Sequence, residues 1–198
     1  MLLYGAGGHA KVVISCLTAS GIPVAGIFDD DPSNNCISNI SVISGYSKTF
    51  LETEAIIVAV GDNKLRKAIV DKVNHKFGLA IHPSTIIDTS VMVSEGTVIM
   101  HGSIIQADVI LGKHVIINTR ASIDHDCQIG DFVHLAPGAT LCGNVKIGEN
   151  TFIGAGTVVV PNISIGSNCF IAAGSVVTEN IPDRTTARGN PARIIRTK

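Results

Sequence analysis

The run Ile123–Val159 reads IDHDCQIGDFVHLAPGATLCGNVKIGENTFIGAGTVV, and an aliphatic residue returns in it at every sixth position. Ile123, Ile129, Leu135, Leu141, Ile147, Ile153 and Val159 mark the period. Outward from it, the same step picks out Ile87, Val93, Ile99, Ile105, Leu111 and Ile117 before the run and Ile165, Ile171 and Val177 after it. All 16 positions are Ile, Leu or Val. If such residues fill about a third of positions, chance gives this roughly once in ten million. Four residues after each aliphatic stands a small or β-branched residue in nearly every hexad, as at Thr97, Ser103, Ala121, Cys127 and Ala139. Glycine follows the aliphatic directly at Gly112, Gly130, Gly148, Gly154 and Gly166. A period of six fits neither a 3.6-residue helix nor a two-residue strand alternation. It fits a short strand and a tight turn, repeated. Three hexads close one triangular coil of a parallel β-helix, with the aliphatic pointing inward and the small residue at the corner. At 18 residues per coil, residues 87–182 give about five coils, stacked roughly 4.8 Å apart. Each coil packs only on its neighbours.

Composition agrees. Hydrophobic residues make up 45% of the 198, yet only six Phe and two Tyr are aromatic and there is no Trp. A narrow interior filled with similar aliphatics needs that balance. Fifteen basic residues against 16 acidic ones leave no broad basic face for nucleic acid. The five cysteines are odd in number and form no C-x-x-C pair, which reads as reduced thiols in a cytoplasmic protein. No run of 18 apolar residues is present, so no membrane insertion is expected.

Residues 1–80 lack the repeat and read as a small Rossmann-like α/β domain ahead of the β-helix domain at 81–198. MLLY is a first strand. It enters Gly5-Ala6-Gly7-Gly8-His9-Ala10, a G-x-G-x-x-A turn, and then a helix over Ala10–Ala19. Val24–Phe28 is a second strand ending at Asp29-Asp30, and Ala55–Val60 a third. Gly61-Asp62-Asn63 caps a helix with an apolar stripe of Leu65, Ile69 and Val73. Small residues at a strand-to-helix turn let backbone N–H groups approach a phosphate. The acidic pair is placed for a ribose or a base. Eighty residues supply only one mononucleotide-sized half, so a nucleotide-sugar fits better than NAD.

Of seven histidines, His75, His82 and His114 read as structural or solvated, and His101, His125 and His134 lie in the coils. His125 sits at a corner, facing outward, between Asp124 and Asp126. A carboxylate beside imidazole favours the charged form and holds one tautomer, which suits a general base. His134 is half a coil further on, so the two are not stacked on one face of one chain and can meet across a subunit interface. One coil after His125 stands Gly143, whose open backbone N–H can stabilise an oxyanion. Cys127 occupies a small corner position and reads as packed inside.

With GAGGHAK and IFDD upstream and GNPARIIR at Gly189–Arg196 downstream, the whole chain resembles the hexapeptide-repeat acyltransferases. Within them it resembles the bacterial nucleotide-sugar acetyltransferases, such as UDP-4-amino-sugar N-acetyltransferases of the bacillosamine pathway. The resemblance implies a left-handed β-helix, against the right-handed rule for parallel crossovers. It implies acetyl-CoA as co-substrate, no metal, and a homotrimer with the active site between chains. It makes His125 the base and Asp126 the residue that raises its basicity, where relatives commonly have Glu. It places His134 at the thioester, and backbone around Gly143, Ala155 and Ala173 along the coenzyme groove. It puts Gly7, Gly8, His9, Asp29, Asp30 and Gly61 at the nucleotide-sugar. The expected reaction is N-acetylation of the 4-amino group of a nucleotide-linked 4-amino-4,6-dideoxy sugar, UDP-linked in preference to dTDP or GDP. The oxyanion is then held by His134 and the Gly143 N–H. Alternatives are acetylation of GDP-perosamine or of sialic acid oxygen, a non-catalytic sugar-nucleotide sensor, and a γ-carbonic-anhydrase-like zinc enzyme using His101, His125 and His134.

Overall fold

A computed structural model describes residues 1–197. The N-terminal third is one sheet with helices packed on it. Its elements are β1 (Leu2–Tyr4), α1 (Gly8–Ala19), β2 (Gly26–Asp29), β3 (Cys36–Ile37), β4 (Ile40–Ser44), β5 (Ile56–Val58) and α2 (Asn63–Val70). The sheet order is β3-β4-β2-β1-β5. β1 is fully buried and pairs in parallel with β2 and β5, Leu2 opposite both Gly26 and Ile56. Three expectations shift. Helix α1 starts at Gly8 rather than Ala10, because Gly7 is already its extended N-cap and accepts from Ala10 N–H at 3.1 Å. β2 starts two residues later and ends one residue later than expected, which makes Asp29 its last residue. The β3–β4 hairpin was not foreseen in the polar stretch DDPSNNCISN. Its turn residues Ser38 and Asn39 both have positive φ (49° and 63°), the backbone of a two-residue hairpin turn.

Helix α2 corrects the expected stripe. Leu65 is 53% exposed and Val73 lies beyond the helix. The buried face is Asn63, Arg66 and Ile69. Hydrogen bonds satisfy the polar members of that face, so the inner side is not the apolar side that periodicity assumes.

From Ala80–Ile81 to Val176–Val177 the chain is a three-faced parallel β-helix of two-residue strands, each paired with the strand 18 residues on, as in Ile116↔His134 and His134↔Phe152. One face holds six strands, so there are six coils rather than about five. Ala80–Ile81, one step before Ile87, opens the first coil. The inward aliphatics from Ile99 to Val177 are almost wholly buried. Burial of each such side chain is worth about 1.5–3 kcal/mol. The corner hydroxyls are not orphaned: Thr97, Ser103 and Thr157 each donate to the carbonyl 15 residues ahead, at 3.0–3.1 Å. The glycines after the aliphatics answer to a different need. A Cβ at Gly148 would lie 2.5 Å from Ser167 N on the next coil. Left-handed backbone is carried two positions later, at Asp126, Phe132, Asn144 and Asn150 among others.

The C-terminal end is an antiparallel hairpin, Thr185–Gly189 with Ala192–Thr197, that adds to one face after Phe170–Ile171. The α/β part packs on the same face at its other end. Leu3, Ala10 and Leu17 form one buried cluster with Ala80, Val98, Met100 and Ile116. Among the described residues no helix is long and apolar enough to cross a membrane.

Candidate active site

His125 stands at an exposed corner, its backbone N–H held by Asp124 Oδ1 at 2.9 Å. Its Nδ1 donates to Asp126 Oδ2 at 2.7 Å. Asp126 is in left-handed backbone (φ 62°), a conformation that Asp and Asn tolerate better than longer side chains. The short carboxylate therefore reaches the ring from a corner. The Asp126 hydrogen bond, followed by the charge of Asp124, raises the His125 pKa above its ordinary value. With Nδ1 engaged, neutral His125 presents the lone pair of Nε2 outward. The ring lies against Gly143: a Cβ there would be 2.7 Å from both Cε1 and Nε2. Among the described residues the Gly143 N–H has no acceptor. Base, orienting carboxylate and free N–H thus share one corner. Cys127, inside that corner, is fully buried, and burial pushes its thiol up to about 11.

His134 is on another face, and no contact joins it to His125 within the chain. It is 7% exposed. Its Nδ1 lies 3.0 Å from Gly61 O, and Asn118 Nδ2 lies 3.1 Å from its Nε2. A carbonyl only accepts, so Nδ1 carries the proton and Nε2 accepts from the amide. Burial, which outweighs the Gly61 hydrogen bond, lowers its pKa to about 4. The ring is neutral, with no proton on Nε2. With Nε2 accepting from Asn118, the ring in this state offers no N–H into the cleft. His101 is elsewhere again. It stacks on His82 at 3.8 Å and reaches Ser15 Oγ at 3.3 Å, so His101, His125 and His134 do not converge within the chain.

At the N-terminal turn, Gly7 and Gly8 have open space where a Cβ would be, and neither has positive φ. Neither packing nor strain demands glycine at these two positions. The backbone at the N-terminus of α1 is thereby left open to close approach. The acidic pair divides its duties. Asp29 Oδ2 accepts from Ala6 N–H at 2.6 Å and Oδ1 from Asp31 N–H at 2.8 Å, so Asp29 clamps the turn. Asp30 accepts from Tyr4 Oη at 2.7 Å and is otherwise exposed. Burial first, then Asp30, pushes the Tyr4 phenol up. His9 lies between turn and β-helix, its ring centroid 6.0 Å from that of His134, with Nε2 buried and without a partner. Burial, then Arg66, lowers its pKa to about 4.

His134 and Gly61 border a cleft of about 770 Å³ that is also lined by Lys64, Phe152, Phe170 and Arg184. Phe152 and Phe170 stack at 5.2 Å, continuing the column from His134. Sequence reasoning passed over these two, although their 18-residue spacing from His134 is visible. Ala155 and Ala173 are exposed corner residues one coil apart, each followed by a left-handed glycine with open space around it. Together they make an edge without protruding side chains. His75 and His114 are buried and structural, His75 bonded to Tyr46 and His114 stacked on Phe132.

Comparison with known proteins matches residues 1–73 to the PglD N-terminal domain and residues 144–179 to the bacterial transferase hexapeptide repeats. UDP-N-acetylbacillosamine N-acetyltransferase of Bacillus subtilis is 41% identical over 107 residues, half of this chain and half of that one. The chain spans between a fifth and a half of the length of the curated relatives it matches. A point mutant of perosamine N-acetyltransferase from Caulobacter crescentus, solved with CoA and GDP-perosamine, is 39% identical with a TM-score of 0.95 over 98% of this chain and 96% of that one. The acetyltransferase domain of PglB from Neisseria gonorrhoeae, solved with acetyl coenzyme A, is 36% identical with a TM-score of 0.90 over 98% of each. The β-helix is left-handed, as in these neighbours.

Proposed function

We propose a reaction on one premise: the chain belongs to the hexapeptide-repeat, PglD-type amino-sugar N-acetyltransferases, and is an acyltransferase that uses acetyl-CoA. The acceptor is the 4-amino group of a nucleotide-linked 4-amino-4,6-dideoxy sugar. The observation that carries the reading is the His125–Asp126 pair lying against the open backbone of Gly143.

The amine attacks the thioester carbonyl as a neutral nucleophile. A C–N bond forms and the carbonyl oxygen takes negative charge, which the Gly143 N–H meets. His125 Nε2 takes the proton that the nitrogen sheds, with Asp126 steadying the imidazolium formed. The C–S bond then breaks, and the same proton goes to the departing sulfur, which leaves as coenzyme A thiol. Gly7, Gly8, His9, Asp29, Asp30 and Gly61 hold the nucleotide-sugar. The edge at Ala155 and Ala173 and the cleft beside His134 hold the coenzyme. The site is completed between chains of a homotrimer, a reading that the placement of His125 and His134 on different faces supports. The cytoplasm is the proposed compartment. Five free cysteines and a cytoplasmic co-substrate support it.

UDP is the favoured nucleotide, supported by the Bacillus relative. GDP is the second reading, since the Caulobacter neighbours hold GDP-perosamine. A thiol-release screen of acetyl-CoA against UDP-, dTDP- and GDP-4-amino sugars decides. The highest kcat/KM is expected with UDP, and a GDP sugar in first place reverses the choice.

A further inference from the structure

Arg66, on α2, is the only buried Lys or Arg among the described residues, at 1% exposure. Its guanidinium uses all five N–H groups. Nε donates to His114 O at 3.0 Å, Nη1 to Val60 O at 3.0 Å and Gly61 O at 3.3 Å, and Nη2 to Asn63 Oδ1 at 2.9 Å and Phe132 O at 2.8 Å. No carboxylate is among these acceptors. The near acid, Asp62, is committed to the Leu65 N–H as the helix cap. Removing a cation from water without a counter-ion costs several kcal/mol. A residue serving only to join helix to coil would do better with an apolar contact. The acceptors show a more specific use. Two are carbonyls of the turn between β5 and α2. Two are carbonyls of β-helix corners one coil apart. Gly61 O, held by Nη1, is also the acceptor of His134 Nδ1–H.

We propose that Arg66 is a positioning residue for the acetyl transfer, setting the Gly61 turn against the β-helix and thereby fixing His134 as its Nδ1–H tautomer in the wall of the cleft. The role in transfer rests on the acetyltransferase reading. The grip on His134 does not. The charge acts in the same direction as the geometry. His9, His114 and His134 each sit near 4, by burial first and with Arg66 adding to it. The other charged groups at this cleft are Asp62 at the cap of α2, Lys64 on α2 and Arg184 at a β-helix corner. Lys67 on α2 faces Glu149 at 3.9 Å.

Long-range proton–nitrogen spectra of histidine-labelled wild-type protein read the His134 tautomer without turnover. A proton on Nδ1 and none on Nε2, unchanged from pH 7 to pH 5, is expected. A proton on Nε2 at pH 7 overturns the proposal and requires no variant to fold. Arg66→Lys keeps the charge and loses the fork. It should lower kcat/KM for the amino sugar about 100-fold, the scale of a small misplacement, with the pH profile unshifted. Arg66→Gln should lower it too, and should move the protonation of His134 to a higher pH than in the wild-type protein. Folded variants with wild-type kcat/KM and the wild-type His134 spectrum overturn the proposal, whatever their melting temperatures. A wild-type protein inert toward every acceptor, yet showing the expected spectrum, counts against the acetyltransferase reading and leaves the grip of Arg66 on His134 standing.

Discussion

A single carboxylate decides the working range of the base. Asp126 bonds to His125 Nδ1 at 2.7 Å, and that bond is the first cause of the raised imidazole pKa. The sign follows directly. His125 acts only when neutral, so activity rises with pH through its pKa, and a raised pKa puts the acid limb at higher pH. Asp126→Asn should move the acid limb of kcat/KM to lower pH, toward the ordinary value of about 6.5, while kcat falls about tenfold or more as the ring loses its orientation. An acid limb that stays in place contradicts the pairing. His125, Asp126 and Gly143 were legible because a period of six fixes which residues reach a corner, and a period of 18 which corner lies above. The inward commitment of Asp29 was not legible, because the Ala6 N–H that takes its carboxylate is 23 positions away.

Elements differ in how far periodicity describes them. The β-helix strands bury one alternate residue each, so their pattern is readable from the chain. Helix α2 buries Asn63 and Arg66 against carbonyls of the β-helix, and no hydrophobic stripe announces that. The β3–β4 hairpin is fixed by two positive-φ turn residues rather than by apolar alternation. The start of α1 provides a test at this scale. Gly8 is helical, and a Cβ there meets nothing within 4 Å. Alanine should therefore stabilise the fold by about 0.5–1 kcal/mol. If a phosphate approaches this turn, the same change should raise KM for the nucleotide-sugar about tenfold. A higher melting temperature with an unchanged KM would remove the turn from the binding site.

Across the whole molecule, three neutral imidazoles lie in or beside the junction between the α/β part and the β-helix. His9, His114 and His134 have folded pKa values near 4, against about 6.5 unfolded. Between those values the unfolded chain binds more protons, so stability is lost as pH falls from about 6.5 to about 4. Thermal unfolding should show a melting temperature that is flat from pH 8 to pH 7 and falls by several degrees by pH 5. A flat curve to pH 5 would mean that the three rings are not held neutral. The scarcity of aromatics also has its cause at this scale. A triangular interior takes Ile, Leu and Val in layers, and the aromatics are used outside it, in the sheet cluster of Tyr4, Phe28, Tyr46 and Phe50 and in the cleft column of Phe152 and Phe170. The central claim, acetyl transfer with His125 as base, is tested most directly by kcat for His125→Ala, measured by release of coenzyme A thiol with the best nucleotide-linked amino sugar. The expected result is a fall of roughly 10²–10⁴, with both KM values within a few-fold of wild type and the assembly intact. A kcat near that of the unaltered protein would contradict it.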